Sequence, residues 1–240
     1  MDSSQLSPEA EGPFTLAPTT SFDRREALRR LVVGGAVVWT APLISKTAFA
    51  ASATSCVNNV LNWNSYAVGT TFNSATVNGT TITLSASSFY GGSGPRSTNR
   101  TIIASPIGGI SSRGLRLEQD AVNGGGQTIS LTFSKTVWAV SFTITDVDSS
   151  NGAWSDRVSF DTPTAFGYSF PAGSTVTGAG TGSTPFRQQS NNNSYPNTSP
   201  GGNVQVSFAG PLTAITLRFA CGPQQGANQL INFSNISFCG

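Results

Sequence analysis

The sequence predicts an all-β protein, an antiparallel two-sheet β-sandwich of jelly-roll type, and three observations carry that prediction. From Ala51 onward no segment of ten or more residues places apolar side chains at helical spacing. Period-two alternation is common instead, and clusters of Gly, Pro, Asn and Ser punctuate the alternating runs at short intervals. About ten to twelve such runs can be counted, each with one apolar and one polar face, as two packed sheets require. So many strands in one domain spanning 51–240 favour a jelly roll over an immunoglobulin-like sandwich, which has fewer strands over a shorter length.

The elements follow in order. Ala75-Thr76-Val77 and Thr81-Ile82-Thr83-Leu84 flank Asn78-Gly79, a two-residue hairpin signal because both turn positions need positive φ. Gly91-Gly92-Ser93-Gly94-Pro95 and Gly124-Gly125-Gly126 read as further turns. Leu115-Leu117 and Ile129-Leu131-Phe133 alternate, and Trp138, Val140, Phe142 and Ile144 form the clearest run. Val158-Phe160, Val204-Val206-Phe208 and Ile215-Leu217-Phe219 repeat the pattern. The polar stretch from Gln188 to Asn193, continuing to Pro200, reads as a long surface loop because strands resume directly after it.

The segment 1–50 has a different character. Asp23-Arg24-Arg25-Glu26-Ala27-Leu28-Arg29 leads into an apolar stretch from Leu31 to Ile44, and Ala48-Phe49-Ala50 supplies a small-residue cleavage pattern. The paired Arg24 and Arg25, the Gly34-Gly35 within the apolar stretch and Lys46 before the cleavage pattern together resemble a bacterial twin-arginine signal peptide. The resemblance implies export and a mature chain beginning at Ala51. The 14-residue apolar stretch, broken by Gly-Gly and Pro42, is shorter than the roughly 20 residues that span a bilayer, and the mature chain shows no membrane span.

Composition excludes several kinds of chemistry. The 240 residues contain no histidine, so imidazole-based nucleophile pairs, HExxH zinc sites and proton shuttles are ruled out. A net charge of +2 with only 10% charged residues argues against nucleic acid as a partner. From 51 onward the chain carries 8 basic and 6 acidic residues, so Ser, Thr, Asn, Gln and Gly must solvate its surface.

The three cysteines can be weighed by geometry. If the strands ending at Cys221 and Cys239 form a hairpin, the two thiols lie at opposite ends, more than about 25 Å apart, well beyond the roughly 7 Å Cα separation a disulfide tolerates. A first strand antiparallel to the last instead sets Cys56 beside Cys239, and export makes that bond credible. Cys221 shares the parity of Ile215, Leu217 and Phe219 and is expected as a buried thiol.

The densest polar feature runs from Phe142 to Phe160: an apolar strand enters Asp146-Val147-Asp148, crosses Ser149-Ser150-Asn151-Gly152, and returns through Trp154-Ser155-Asp156-Arg157-Val158. This 19-residue pattern resembles the non-repetitive lectin-like or jelly-roll domains of bacterial fibrillar adhesins, which implies a secreted or cell-surface protein that meets a glycan or a surface protein. Parity places Asp146 and Asp148 at the rim of the core. Arg157 and main-chain N–H groups could brace them, or calcium could be held by Asp146 and Asp148 with Asp156 or Asn151 as a further oxygen ligand. Trp154 is either an exposed platform for a ligand or core filling, whereas Trp63 and Trp138 have core parity. Glu118, out of phase with Leu115 and Leu117, is expected to face solvent.

These readings converge on an exported non-catalytic module that binds or structures something outside the cell. The alternative is a carbohydrate-active hydrolase working through a carboxylate pair at the same corner. Export carries its own test: protein recovered from the medium should begin at Ala51 by N-terminal sequencing, and Arg24→Lys with Arg25→Lys should abolish its appearance there. An N-terminus at Met1 in the secreted material would refute the signal reading.

Overall fold

The computed structural model describes residues 56–223 and 228–240; the segment read as an export signal, with Arg24, Arg25, Ala48 and Ala50, lies outside the described residues. Fourteen strands occur among the described residues: β1 (Asn58–Leu61), β2 (Ser74–Val77), β3 (Thr80–Pro95), β4 (Thr101–Ile103), β5 (Gly114–Thr145), β6 (Ser149–Ser150), β7 (Trp154–Phe160), β8 (Phe166–Ser169), β9 (Val176–Thr177), β10 (Arg187–Gln188), β11 (Val204–Phe208), β12 (Leu212–Cys221), β13 (Gln229–Phe233) and β14 (Ile236–Cys239). The expected all-β sandwich is therefore observed.

The pairing resolves into two layers that share one strand. In the first, the order is β2, β3, the 126–133 part of β5, β12, β7 and β6. In the second it is β8, β11, the 138–144 part of β5, β14 and β1. The opening of β5, residues 114–119, pairs with β4 and β13 at one end of the sandwich. The short pair β9–β10 stands apart, tied to β7 by a bridge between Val158 and Phe186.

Alternation dictates which side chains meet between the layers. Ile129, Leu131 and Phe133 from one part of β5 and Val140, Phe142 and Ile144 from another are all buried in the same core cluster. Phe133 meets Phe238 of β14 at 5.7 Å between ring centroids, and Phe160 of β7 meets Phe208 of β11 at 5.2 Å, edge to face. Each of these rings stabilises the sandwich by roughly 1.5–3 kcal/mol through burial, with the ring geometry adding to it.

The β2–β3 hairpin turns as expected, with φ of +46° at Asn78 and +76° at Gly79. The other two glycine clusters do not turn the chain. Gly91–Pro95 lies within β3 and Gly124–Gly126 within β5, where the two strands cross closely. A Cβ on Gly125 would stand 2.1 Å from the Gly91 carbonyl oxygen, and one on Gly126 the same distance from that of Phe219. These glycines are required for backbone approach rather than for reversal.

The expected final hairpin is also replaced. β12 pairs with β5 and β7, and the run after it is cut into β13 and β14 by Ser234 and Asn235. Those two residues leave the ladder to serve Trp63: the indole Nε1–H donates to the Ser234 carbonyl at 2.8 Å, and the Trp63 backbone N–H donates to Asn235 Oδ1 at 2.9 Å. Trp63 is fully buried, as parity required.

The disulfide survives this correction, because β1 does run antiparallel to β14, with Asn58 opposite Cys239. Cys56 and Cys239 are bonded, with their Cα atoms 5.4 Å apart, and Cys221 is a buried thiol opposite Asp156. The bond closes a loop with a sequence separation of 183, for which the chain-entropy model gives a stabilisation of about 5 kcal/mol. Non-reducing peptide mapping should join Cys56 to Cys239, and Cys56→Ser should lower Tm by about 10 °C or more, the scale expected for that loss in a domain of this size. A Cys221–Cys239 peptide, or an unchanged Tm, would overturn the assignment.

Candidate functional site

β5 ends in the acidic corner singled out by the sequence. Beyond Ile144 the chain does not keep its alternation: Asp146 takes a left-handed backbone conformation with φ of +66°, an uncommon choice for a residue other than glycine. Asp146 is half-buried, whereas Asp148 and Asp156 are almost fully enclosed, at 6% and 1% exposure. β6 and β7 bring the latter two together, with Ser149 opposite Ser155 and the Asp156 N–H donating to the Asp148 carbonyl at 2.9 Å.

The corner is closed by hydrogen bonds from the chain itself. Asp148 Oδ1 accepts from the Trp154 indole Nε1–H at 2.5 Å, and its Oδ2 accepts from the Tyr195 N–H at 3.0 Å. The Asp148 N–H donates to Asp156 Oδ2 at 3.2 Å. The loop from 189 to 199 is bolted over it: the Ser149 hydroxyl donates to the Ser190 carbonyl, the Ser149 N–H to the Asn193 carbonyl, and the Gln188 side chain to the Val147 carbonyl. Gly202 makes this fit possible, since a Cβ there would lie 2.9 Å from the Val147 nitrogen.

Two expectations about the corner are corrected. Arg157 does not brace it: ion pairs among the described residues join Arg96 and Arg116 to Glu118 and Arg96 to Asp120, and Arg157 points its Nε into a buried place beside Gly222. Trp154 is half-buried and serves as a hydrogen-bond donor, so it is not an exposed platform. For the calcium alternative, no group of three acidic or thiol side chains able to hold a metal is found among the described residues. Asn151 is exposed at the tip of the β6–β7 turn.

Burial disfavours the ionised form of all three carboxyls. Burial, aided by the neighbouring Asp148 and opposed by Arg116, pushes Asp146 up to about 7. Burial also raises Asp148, although the Trp154 and Tyr195 bonds work against it. Asp156 is held well above the ordinary carboxylate range by burial and by Asp148. Asp156 Oδ1 is buried without a hydrogen-bond partner among the described residues.

Glu118 provides a further correction. It is 7% exposed rather than solvent-facing, because the end of β3 and the segment after it fold over it. Arg96 Nε and Arg116 Nη1 reach its two oxygens at 3.2 and 3.4 Å, and the Thr98 hydroxyl donates to it as well.

The surface feature that parity concealed lies at Trp138, which is 46% exposed instead of buried. Val137 and Val140 are both buried, with Trp138 and Ala139 turned outward between them. Ala139 has φ of +46°, and the ladder shifts register here against β14, after an earlier irregularity against β12 between Thr132 and Val137. This bulge carries one more residue than alternation allows. Beside it lies an open groove of about 280 Å³ lined by Ala139, Ser141, Ser207, Phe208 and Ala209. The only advance signal was Ala209-Gly210-Pro211, a break in the strand that faces the bulge, with the Ala139 N–H donating to the Ala209 carbonyl at 3.0 Å.

In comparison with known proteins, no family model, no curated protein and no solved structure matches this chain.

The raised carboxyls of the corner fix a pH dependence. These carboxyls have folded pKa values above the unfolded value of 3.8. The folded state therefore binds more protons over that interval, and stability is greatest below about pH 4 and falls as pH rises through the folded values. For Asp146 the fall runs from about pH 4 to about 7. Thermal melts should show Tm declining by about 5 °C or more across that window. Asp156→Asn, whose amide can donate to Asp148 permanently, should raise Tm at pH 8 and not at pH 4. A Tm that climbs from pH 4 to 7 would contradict the raised carboxyls.

Proposed function

We infer that this chain is an exported, non-catalytic module that binds an uncharged polymer outside the cell, by way of neutral side chains on the surface of the sandwich. The observation that supports this reading most is the closure of the acidic corner. A hydrolase needs an acid and a base or nucleophile open to the same glycosidic bond. Asp148 and Asp156 instead face each other under the 189–199 loop, with their oxygens directed at Trp154, Tyr195 and the chain between them. Glu118 is likewise enclosed by arginines.

What remains outside is sparsely charged, with Arg96, Lys135, Asp161, Arg187 and Arg218 exposed and scattered over the chain, and it carries a few exposed rings, Trp138, Tyr168 and Phe170. Such a surface suits a glycan better than a nucleic acid, which would call for a basic face. The twin-arginine-like segment and the Cys56–Cys239 bond are consistent with work in an oxidising exterior.

Binding and hydrolysis separate in one set of measurements. Incubated with a panel of polysaccharides, the protein should release no reducing ends, while its migration is retarded in gels containing at least one of them. Asp148→Asn should lower stability by about 1–3 kcal/mol, since one of the two buried donors, the Trp154 indole or the Tyr195 N–H, would meet an amide NH2 in place of an acceptor oxygen, and leave that retardation intact. Release of sugar abolished by Asp148→Asn would establish the hydrolase instead.

A further inference from the structure

We propose that the groove beside Trp138 is the binding site, and that it takes a neutral polysaccharide chain, one sugar ring lying against the indole and its hydroxyls bonded by Ser141 and Ser207. This deepens the binding reading above and rests on it.

The groove is built by cross-strand register. Ser207 of β11 stands opposite Ser141 of β5, which in turn stands opposite Ser237 of β14. On the far side Ser207 faces Gly167, whose lack of a side chain leaves the hydroxyl uncovered. Ala139 and Ala209 keep the floor low towards the bulge, and Trp138 rises at that end. The indole lies against Gly210, where a Cβ would sit 3.2 Å from Trp138 Cδ1. Trp138 is not itself one of the lining residues; its ring stands next to them, beyond Ala139 and against Gly210, so an indole and two hydroxyls follow one another along the same stretch of surface.

Three features select the occupant. Every lining residue is uncharged, so nothing there would compensate an anionic or cationic ligand. The flanking strands are paired on both sides, β11 with β5 and β8, and β5 with β11 and β14. No main-chain edge is therefore open for an extended peptide to join by strand addition. The depression, at about 280 Å³ and lined by five residues, has the scale of a small-ligand site rather than of a protein interface with its roughly 20–30 residues a side. A sugar offers what the groove matches: a face of C–H groups for the indole and hydroxyls that both donate and accept towards serine.

The test uses the full chain with its disulfide intact, in affinity gel electrophoresis and titration against laminarin, xylan, galactomannan and hydroxyethyl cellulose, with alginate as the anionic comparison. At least one neutral polysaccharide should bind and alter the tryptophan fluorescence. Trp138→Ala should weaken that binding at least tenfold and remove the fluorescence change, while Ser141→Ala with Ser207→Ala should weaken it several-fold. Tyr168→Ala, an exposed ring elsewhere, should leave it unchanged. Since Trp138 is half-exposed, its variant should melt within a few degrees of the wild type, and Trp138→Phe should retain part of the affinity. Neutral binding that ignores Trp138→Ala would overturn the groove and leave the binding reading standing. Binding to alginate alone would overturn the ligand class, and no binding to any polymer would overturn both.

Discussion

One strand holds this protein together. β5 runs from Gly114 to Thr145 and contributes a ladder to each layer of the sandwich. A strand that serves two layers cannot remain regular, because the twist and separation of packed sheets force it to bend where its partners change. The bends fall at Gly124–Gly126, where backbones crowd, and at the bulge containing Trp138 and Ala139. The strand then ends in the left-handed turn at Asp146. The acidic corner and the exposed tryptophan are consequences of the same demand on one strand.

That demand also explains what the sequence could and could not disclose. Alternation read correctly wherever a ladder is uninterrupted: Ile129 to Phe133, Val140 to Ile144, Val204 to Phe208 and Ile215 to Cys221 all bury the side chains that parity assigns. It failed where one residue is added, since a single insertion moves every later side chain to the opposite face. Trp138 is the case in point, in phase with Val140 by count and out of phase by geometry. Glu118 failed for another reason, because two neighbouring faces of that segment are both covered and alternation has no solvent side to report. The cysteine pairing was reached correctly through a final hairpin that does not exist. The antiparallel relation of the first and last strands was sufficient for it.

The chemistry of the corner follows from scarcity of charge. From 51 onward the chain has 8 basic residues against 6 acidic ones, and two of the arginines are committed to Glu118 and Asp120. The acids at the end of β5 are left with Arg116 at a distance and with neutral donors. In so enclosed a place the ionised form of each carboxyl is disfavoured, and all three are raised above the ordinary carboxylate range. The sequence showed the carboxylates but not their partners, because Tyr195 comes from a loop 47 residues further along.

A surface with so few charges constrains recognition as much as it constrains the interior. Such sparse charge gives little long-range attraction for a neutral partner, so affinity must arise from contact. Contact is available where a large ring stands uncovered beside hydroxyls that lack a neighbour to shield them. The bulge in β5 supplies the ring, and the register of β11, β5 and β14 supplies the hydroxyls. Repetition along a polymer would then compensate for a shallow single site, because each released sugar has an equivalent neighbour within reach. The irregularity that lets one strand build two layers is thus also what lifts a tryptophan out of the core and into a position to meet such a chain.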